Sequence, residues 1–131
     1  MISKFKAGDK KQFEREVRAE DTAVFEAGAV HPVYATFALA RDAEWSSRLF
    51  VLEMKEDTEE GIGTFVEVKH VSPAFIGNQV IIEATIEELR GNELNCTFVA
   101  KTGDRIIAEG RTGQKILLKQ KLEKIFGDLN P

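Results

Sequence analysis

The chain has 131 residues, a formal net charge of −4, 43% hydrophobic residues and 31% charged residues. That mixture is globular rather than disordered, and the length suits one domain spanning residues 1–131. The acidic balance argues against nucleic acid as a partner, because a duplex needs a basic face.

The opening segment Met1–Lys6 is charged and lacks the apolar run of a signal peptide. No stretch reaches the roughly 20 apolar residues of a transmembrane helix, so a cytoplasmic protein with no membrane contact is expected. Across residues 10–19, Phe13, Arg15 and Val17 alternate with charges, which suits an edge strand and leaves a short helix open. Gly28-Ala29-Val30-His31-Pro32 reads as a loop that breaks regular structure, with His31 at the surface. A helix is expected from Thr36 to Leu52. Its small residues (Ala38, Ala40, Ala43, Ser46, Ser47) let a sheet approach closely, and its second half is apolar nearly all round, the mark of a buried helix.

After the acidic loop Glu56–Glu60, the pattern changes to period two. Ile62, Thr64, Val66, Val68 and His70 are expected on one face of a strand, with Gly63, Phe65, Glu67 and Lys69 on the other. A second strand carries Val80, Ile82, Ala84 and Ile86. Arg90-Gly91-Asn92 turns the chain into a third, with Leu94, Cys96, Phe98 and Ala100, and Thr102-Gly103-Asp104 turns it into a fourth, from Arg105 to about Ile116. The lone cysteine, Cys96, cannot form an internal disulfide, and in this strand context it reads as a small core residue rather than a nucleophile. Residues 117–126 repeat apolar positions at helical spacing before Gly127. The architecture expected is α+β: a long helix against a curved antiparallel sheet, with a short C-terminal helix.

Three side chains suit acyl-transfer chemistry. His70 ends a core-facing row, and Glu44 lies on the helix stripe of Ala40, Ser47 and Val51, so the carboxylate and the imidazole can face one another across the helix–sheet boundary. Such a pair would orient the ring and raise its basicity. Thr36 precedes Glu44 by eight residues, about 12 Å of helix rise, so the two cannot touch along the axis. Its hydroxyl either caps the helix start or faces a substrate. That helix end also offers backbone donors and a positive dipole to a carbonyl oxygen. Read singly, each residue also has a structural role open to it: a helix cap, a partly exposed carboxylate, a hydrogen-bonded histidine at a strand end.

Two motifs resemble one family: Val33-Tyr34-Ala35-Thr36 with Glu44 on the helix that follows, and Gly63-Thr64-Phe65-Val66-Glu67-Val68-Lys69-His70-Val71-Ser72-Pro73, continuing through Gly77 to Val80. They resemble the hotdog-fold thioesterases of the fluoroacetyl-CoA thioesterase-like family, over about residues 10–118. The resemblance implies a hotdog fold, a sheet wrapped around a central helix, paired as a homodimer with ligand sites near the subunit interface. It implies hydrolysis of a small or medium acyl-CoA to free acid and CoA, with acyl-CoA as partner, no cofactor and no metal. Thr36, Glu44 and His70 would be the catalytic group, with Glu44 open as nucleophile, base or orienter. Gly63, Phe37 and Thr64 would meet the substrate, Gly63 by allowing close backbone approach. The chain departs from the family at Phe37, where proline is usual, and at Trp45, where a second acid is common. Ala27 and Val30 stand where the fluoroacetate-specific member has aromatic lid residues, which argues against fluoroacetyl-CoA as substrate. A non-catalytic acyl-CoA-binding hotdog module is the alternative, and an enoyl-thioester hydratase ranks below both because its Asp/His motif is missing.

Overall fold

A computed structural model describes residues 1–25 and 28–131. The strands are β1 (Lys10–Glu16), β2 (Thr22–Phe25), β3 (Gly28–Tyr34), β4 (Glu59–His70), β5 (Gln79–Arg90), β6 (Glu93–Thr102) and β7 (Arg105–Leu118). The helices are α1 (Thr36–Met54), between β3 and β4, and α2 (Lys119–Leu129). A five-stranded antiparallel sheet runs in the order β1-β5-β6-β7-β4, while β2 and β3 form a separate ribbon. The β5–β6 and β6–β7 turns fall at Gly91 (φ 58°) and Gly103 (φ 57°), in the left-handed conformation that tight hairpins need. The result is the expected α+β arrangement, a curved sheet packed on one long helix. No helix among the described residues is long and apolar enough to cross a membrane.

Three local expectations need correction. Residues 28–32 are not a loop but part of β3, paired with β2; Pro32 and Val33 fall where the register slips between Ala23↔His31 and Thr22↔Tyr34. Proline is tolerated there because a bulge asks no ladder bond of it. Second, α1 is not buried all round. Ala38, Leu39, Ala43, Phe50 and Val51 are covered by the sheet, but Phe37, Trp45 and Leu52 are 53%, 39% and 42% exposed, because one sheet covers only one side of a helix.

The third correction concerns β4. Gly63 pairs with Gln114 and Phe65 with Gly113, so Thr64 is an extra residue, a β-bulge. Before it, Gly61 and Gly63 face α1: a Cβ on Gly61 would lie 2.6 Å from Val51, and one on Gly63 would lie 1.9 Å from the Glu44 carboxylate. Beyond it, Val68 packs against the core and His70 meets the start of α1. The single row Ile62–Thr64–Val66–Val68–His70 expected from strict alternation is therefore split, since one inserted residue inverts the side-chain sequence.

The core is divided. One apolar cluster gathers Tyr34, Ala38, Leu39, Ala43, Ile82, Phe98 and Ile107; the other gathers Phe50, Val51, Met54, Ile86, Leu94, Cys96 and Ile116. Ser46, Ser47, Thr112 and Gln114, all buried, lie between them in sequence on α1 and β7.

Candidate active site

Thr36 is the first residue of α1, and the N-cap is Ala35, whose side chain caps nothing. The Thr36 hydroxyl is therefore not a helix cap; its Oγ1 lies 3.0 Å from His70 Nδ1. The contact is set by a chain of backbone bonds. Tyr34 N–H donates to the Ala74 carbonyl (2.8 Å) in the loop after His70, and Ala35 N–H donates to the Asp21 carbonyl (2.8 Å). Thr36 is thus held in register with the end of β4.

His70 is half-buried, opposite Ala108 of β7. Burial pushes its pKa below the ordinary imidazole value, and the Ser72 backbone, which favours the protonated ring, offsets this only in part. Nε2 is buried without a hydrogen-bond partner of full geometry. The raised basicity expected from a Glu44 partner is absent. The ring bonds Thr36, and among the described residues no hydrogen bond joins it to Glu44.

Glu44 lies against Gly63 of β4. Its Oε1 occupies the space where a side chain on Gly63 would begin, so the glycine there is a matter of volume: only a missing Cβ lets the carboxylate lie on the strand. α1 and β4 run in opposite directions, which brings Thr36 to His70 and Glu44 to Gly63 but keeps the two pairs apart. Phe37 is 53% exposed at the start of the helix. The bulge turns Thr64 toward the other face of the sheet, where its hydroxyl and the Phe65 ring lie over Gly113; only the backbone of Thr64 adjoins the site. Ala27 lies outside the described residues, as does the side chain of Val30.

A second cluster went unread in the sequence. Asp42 accepts from Tyr34 Oη (2.5 Å), from Arg15 through Nε and an Nη (3.2 Å each) and from Arg41 (3.0 Å each). Arg41 continues to Asp21 (2.9 Å), which Arg18 also binds (2.8 Å). Burial would raise the Asp42 pKa, but the bonds from Arg41, Arg15 and Tyr34 outweigh it and hold the carboxyl below its usual range. For Asp21 the Arg18 guanidinium is the largest cause of a deeper depression. Asp42 sits between Leu39 and Ala43 on the buried stripe of α1, and an acid in such a stripe is the signal that could have found the cluster. Arg15, Arg41, Asp42, Glu44, Trp45 and Arg48 line an open groove of about 550 Å³ beside the site. Among the described residues no group of three or more His, Cys, Asp or Glu is arranged to hold a metal.

Comparison with known proteins follows the same lines. The family model described as fluoroacetyl-CoA-specific thioesterase, FlK, matches residues 17–120. A Thermus thermophilus hypothetical protein, described as a thioesterase superfamily member, is 37% identical over 98% of this chain and 95% of its own, with a TM-score of 0.93. The fluoroacetyl-CoA thioesterase FlK (20% identity, 98% and 100% coverage, TM-score 0.89) shares the fold. So does a hot-dog-like protein from Thermanaerovibrio acidaminovorans (19%, 97% and 94%, TM-score 0.89). No curated protein matches the sequence. With a family model covering most of its length and a relative of this identity, the chain belongs to the fluoroacetyl-CoA-specific thioesterase family and has its hotdog-like fold.

Proposed function

We propose that the protein is an acyl-CoA thioesterase that hydrolyses a small or medium acyl thioester to free acid and CoA. The observation that carries this reading is the Thr36 Oγ1–His70 Nδ1 contact of 3.0 Å at the open start of α1. With the neutral ring protonated on Nε2, the Nδ1 lone pair faces the hydroxyl. His70 then acts as general base, taking the proton of the Thr36 hydroxyl or of a water in its place. The oxygen so activated attacks the thioester carbonyl. Amides at the start of α1, aided by the dipole of a 19-residue helix, receive the developing oxyanion. Thiolate leaves without needing a strong acid. Where Thr36 is the nucleophile, a water deprotonated by His70 then cleaves the acyl–Thr36 ester to release the acid, whereas direct attack by water releases it in one step.

Glu44 and Gly63 border the same helix–strand groove and act on the substrate from the other pair, with Phe37 and the Thr64 backbone at its margins. Thiol release from a panel running from acetyl-CoA to octanoyl-CoA tests the reading. Binding without thiol release would favour the non-catalytic acyl-CoA module.

Gly63→Ala separates site from fold. The new methyl meets the flexible end of Glu44 rather than backbone, so the carboxylate swings away and the strand stays. The expected result is an unchanged melting temperature with kcat lowered by about 10- to 100-fold, the scale of a misplacement near 1 Å.

The homodimer implied by the family resemblance also has a physical basis. β4 is an edge strand carrying Val66, 36% exposed, and α1, which packs against it, carries Phe37, Trp45 and Leu52, each at least 39% exposed. An open edge flanked by apolar surface favours pairing with a second copy. Light scattering on the purified protein is expected to give twice the chain mass, and Val66→Lys is expected to shift it toward monomer. A wild-type monomer at micromolar concentration would sink the dimer.

A further inference from the structure

The two apolar clusters of the core are separated at the level of Glu44, by groups that a helix–sheet interface would ordinarily exclude. Ser47, Thr112 and Gln114 are 1%, 1% and 2% exposed. Thr112 Oγ1 bonds Ser47 Oγ (2.9 Å), and Gln114 Nε2 donates to the same Ser47 oxygen (2.9 Å). Ser47 Oγ donates to the Glu44 carbonyl (2.9 Å), and Gln114 Nε2 also reaches that carbonyl (3.4 Å). Burying such groups is costly unless their bonds are made, and an apolar trio of the same shape would serve stability as well or better. Both β7 side chains converge on Ser47 Oγ, and that hydroxyl passes the link to one backbone atom, the carbonyl of Glu44.

The register makes the convergence specific. Gln114 is the residue directly opposite Gly63, the glycine over which the Glu44 carboxylate lies. One side of the β4–β7 pair thus offers an empty Cβ position to the Glu44 side chain, while the neighbouring position grips the Glu44 main chain. A serine hydroxyl bonded back to the preceding turn tilts that carbonyl outward and bends a helix locally. A donor from the sheet ties that turn of α1 to β7.

We propose that Gln114, acting with Ser47 and Thr112, is a positioning unit for Glu44, holding the helix backbone at the height where the carboxylate lies on Gly63. The proposal rests on the reading of Glu44 as part of a thioesterase site. Gln114→Met keeps length and volume but removes the donor, and Ser47→Ala removes the oxygen on which both β7 side chains converge.

In full-length protein, assayed by thiol release on the fastest substrate of the acyl-CoA panel, Gln114→Met is expected to lower kcat by about 10- to 100-fold. KM should stay within about two-fold and thermal stability should be kept, because the interaction lost orients a group rather than binds the ground state. In a Glu44→Gln background the same change should have no further effect on kcat, as coupled residues are non-additive. A normal kcat in folded Gln114→Met, or a full further loss in the Glu44→Gln background, overturns the proposal while leaving Glu44 in place. Wild-type kcat in Glu44→Gln overturns the reading beneath it as well. Should Gln114→Met fail to fold, Ser47→Ala carries the same readout.

Discussion

His70→Ala is expected to lower kcat by about 10²- to 10⁴-fold, the range for loss of a positioned general base, with little change in KM. The size follows from the geometry: the ring is held by burial and by a 3.0 Å contact to Thr36, and removing it leaves the hydroxyl with no base. Stability should change by only about 1 kcal/mol, the scale of the partly exposed Thr36 hydrogen bond that is lost. The wild-type pH profile gives an independent reading of the same group. A general base works when unprotonated. Burial lowers the His70 pKa, so the ring stays neutral to a lower pH than a free imidazole does. Activity should therefore persist below the ordinary imidazole value of about 6.5 and fall only as pH drops through the depressed value. An acid limb well above that value, or folded His70→Ala with wild-type kcat, would remove His70 from the mechanism.

The fold was legible because its signals are periodic. Alternating apolar residues in β5, β6 and β7 and glycines at 91 and 103 specify a meander, and a run of small residues marks the helix that the sheet can approach closely. What alternation cannot show is a bulge. Thr64 looks like any other strand residue, yet its insertion moves Gly63 onto the helix side, where strict period two had placed Thr64. Thr36, Glu44 and His70 were each visible as chemistry-bearing residues, but their pairing was not. A carboxylate and an imidazole suggest each other electrostatically, whereas the antiparallel course of α1 and β4 gives His70 to Thr36 and Glu44 to Gly63. The Gln114 contacts lie further from sequence still. They depend on the register between two strands and a helix 70 residues earlier in the chain, a relation that no local pattern encodes.

The largest effect on stability is expected at Asp42. Replacing it with alanine should cost about 1.5–3 kcal/mol, the scale of losing hydrogen bonds to a charged group, because Arg15 and Arg41 are 22% and 50% exposed and water takes up part of their charge. The remaining groups explain the cost. Arg15 and Arg41 would keep their charges without the carboxylate that both bind, and the buried Tyr34 hydroxyl would lose its acceptor. Against a typical domain stability of roughly 5–15 kcal/mol, that is enough to leave part of the chain unfolded on warming. Tyr34→Phe should be milder, near 1 kcal/mol, because Asp42 retains both arginines when the phenol goes. Asp42→Asn provides the pH test. The folded-state pKa of Asp42 is depressed, so its charge contributes stability in full above the ordinary Asp value of roughly 4, and that contribution is lost as pH falls through the folded value. The stability gap between wild type and Asp42→Asn, measured by urea unfolding, should be constant near neutral pH and narrow only below about pH 4. A gap that closes between pH 7 and 5 would mean that the carboxylate is not held by its arginines. Because the same cluster fixes Tyr34 and, through Asp21, the amide of Ala35, its loss should also reach activity by loosening Thr36 from His70. A variant that stays folded with only the Thr36–His70 contact slackened would lose kcat before it loses its melting transition.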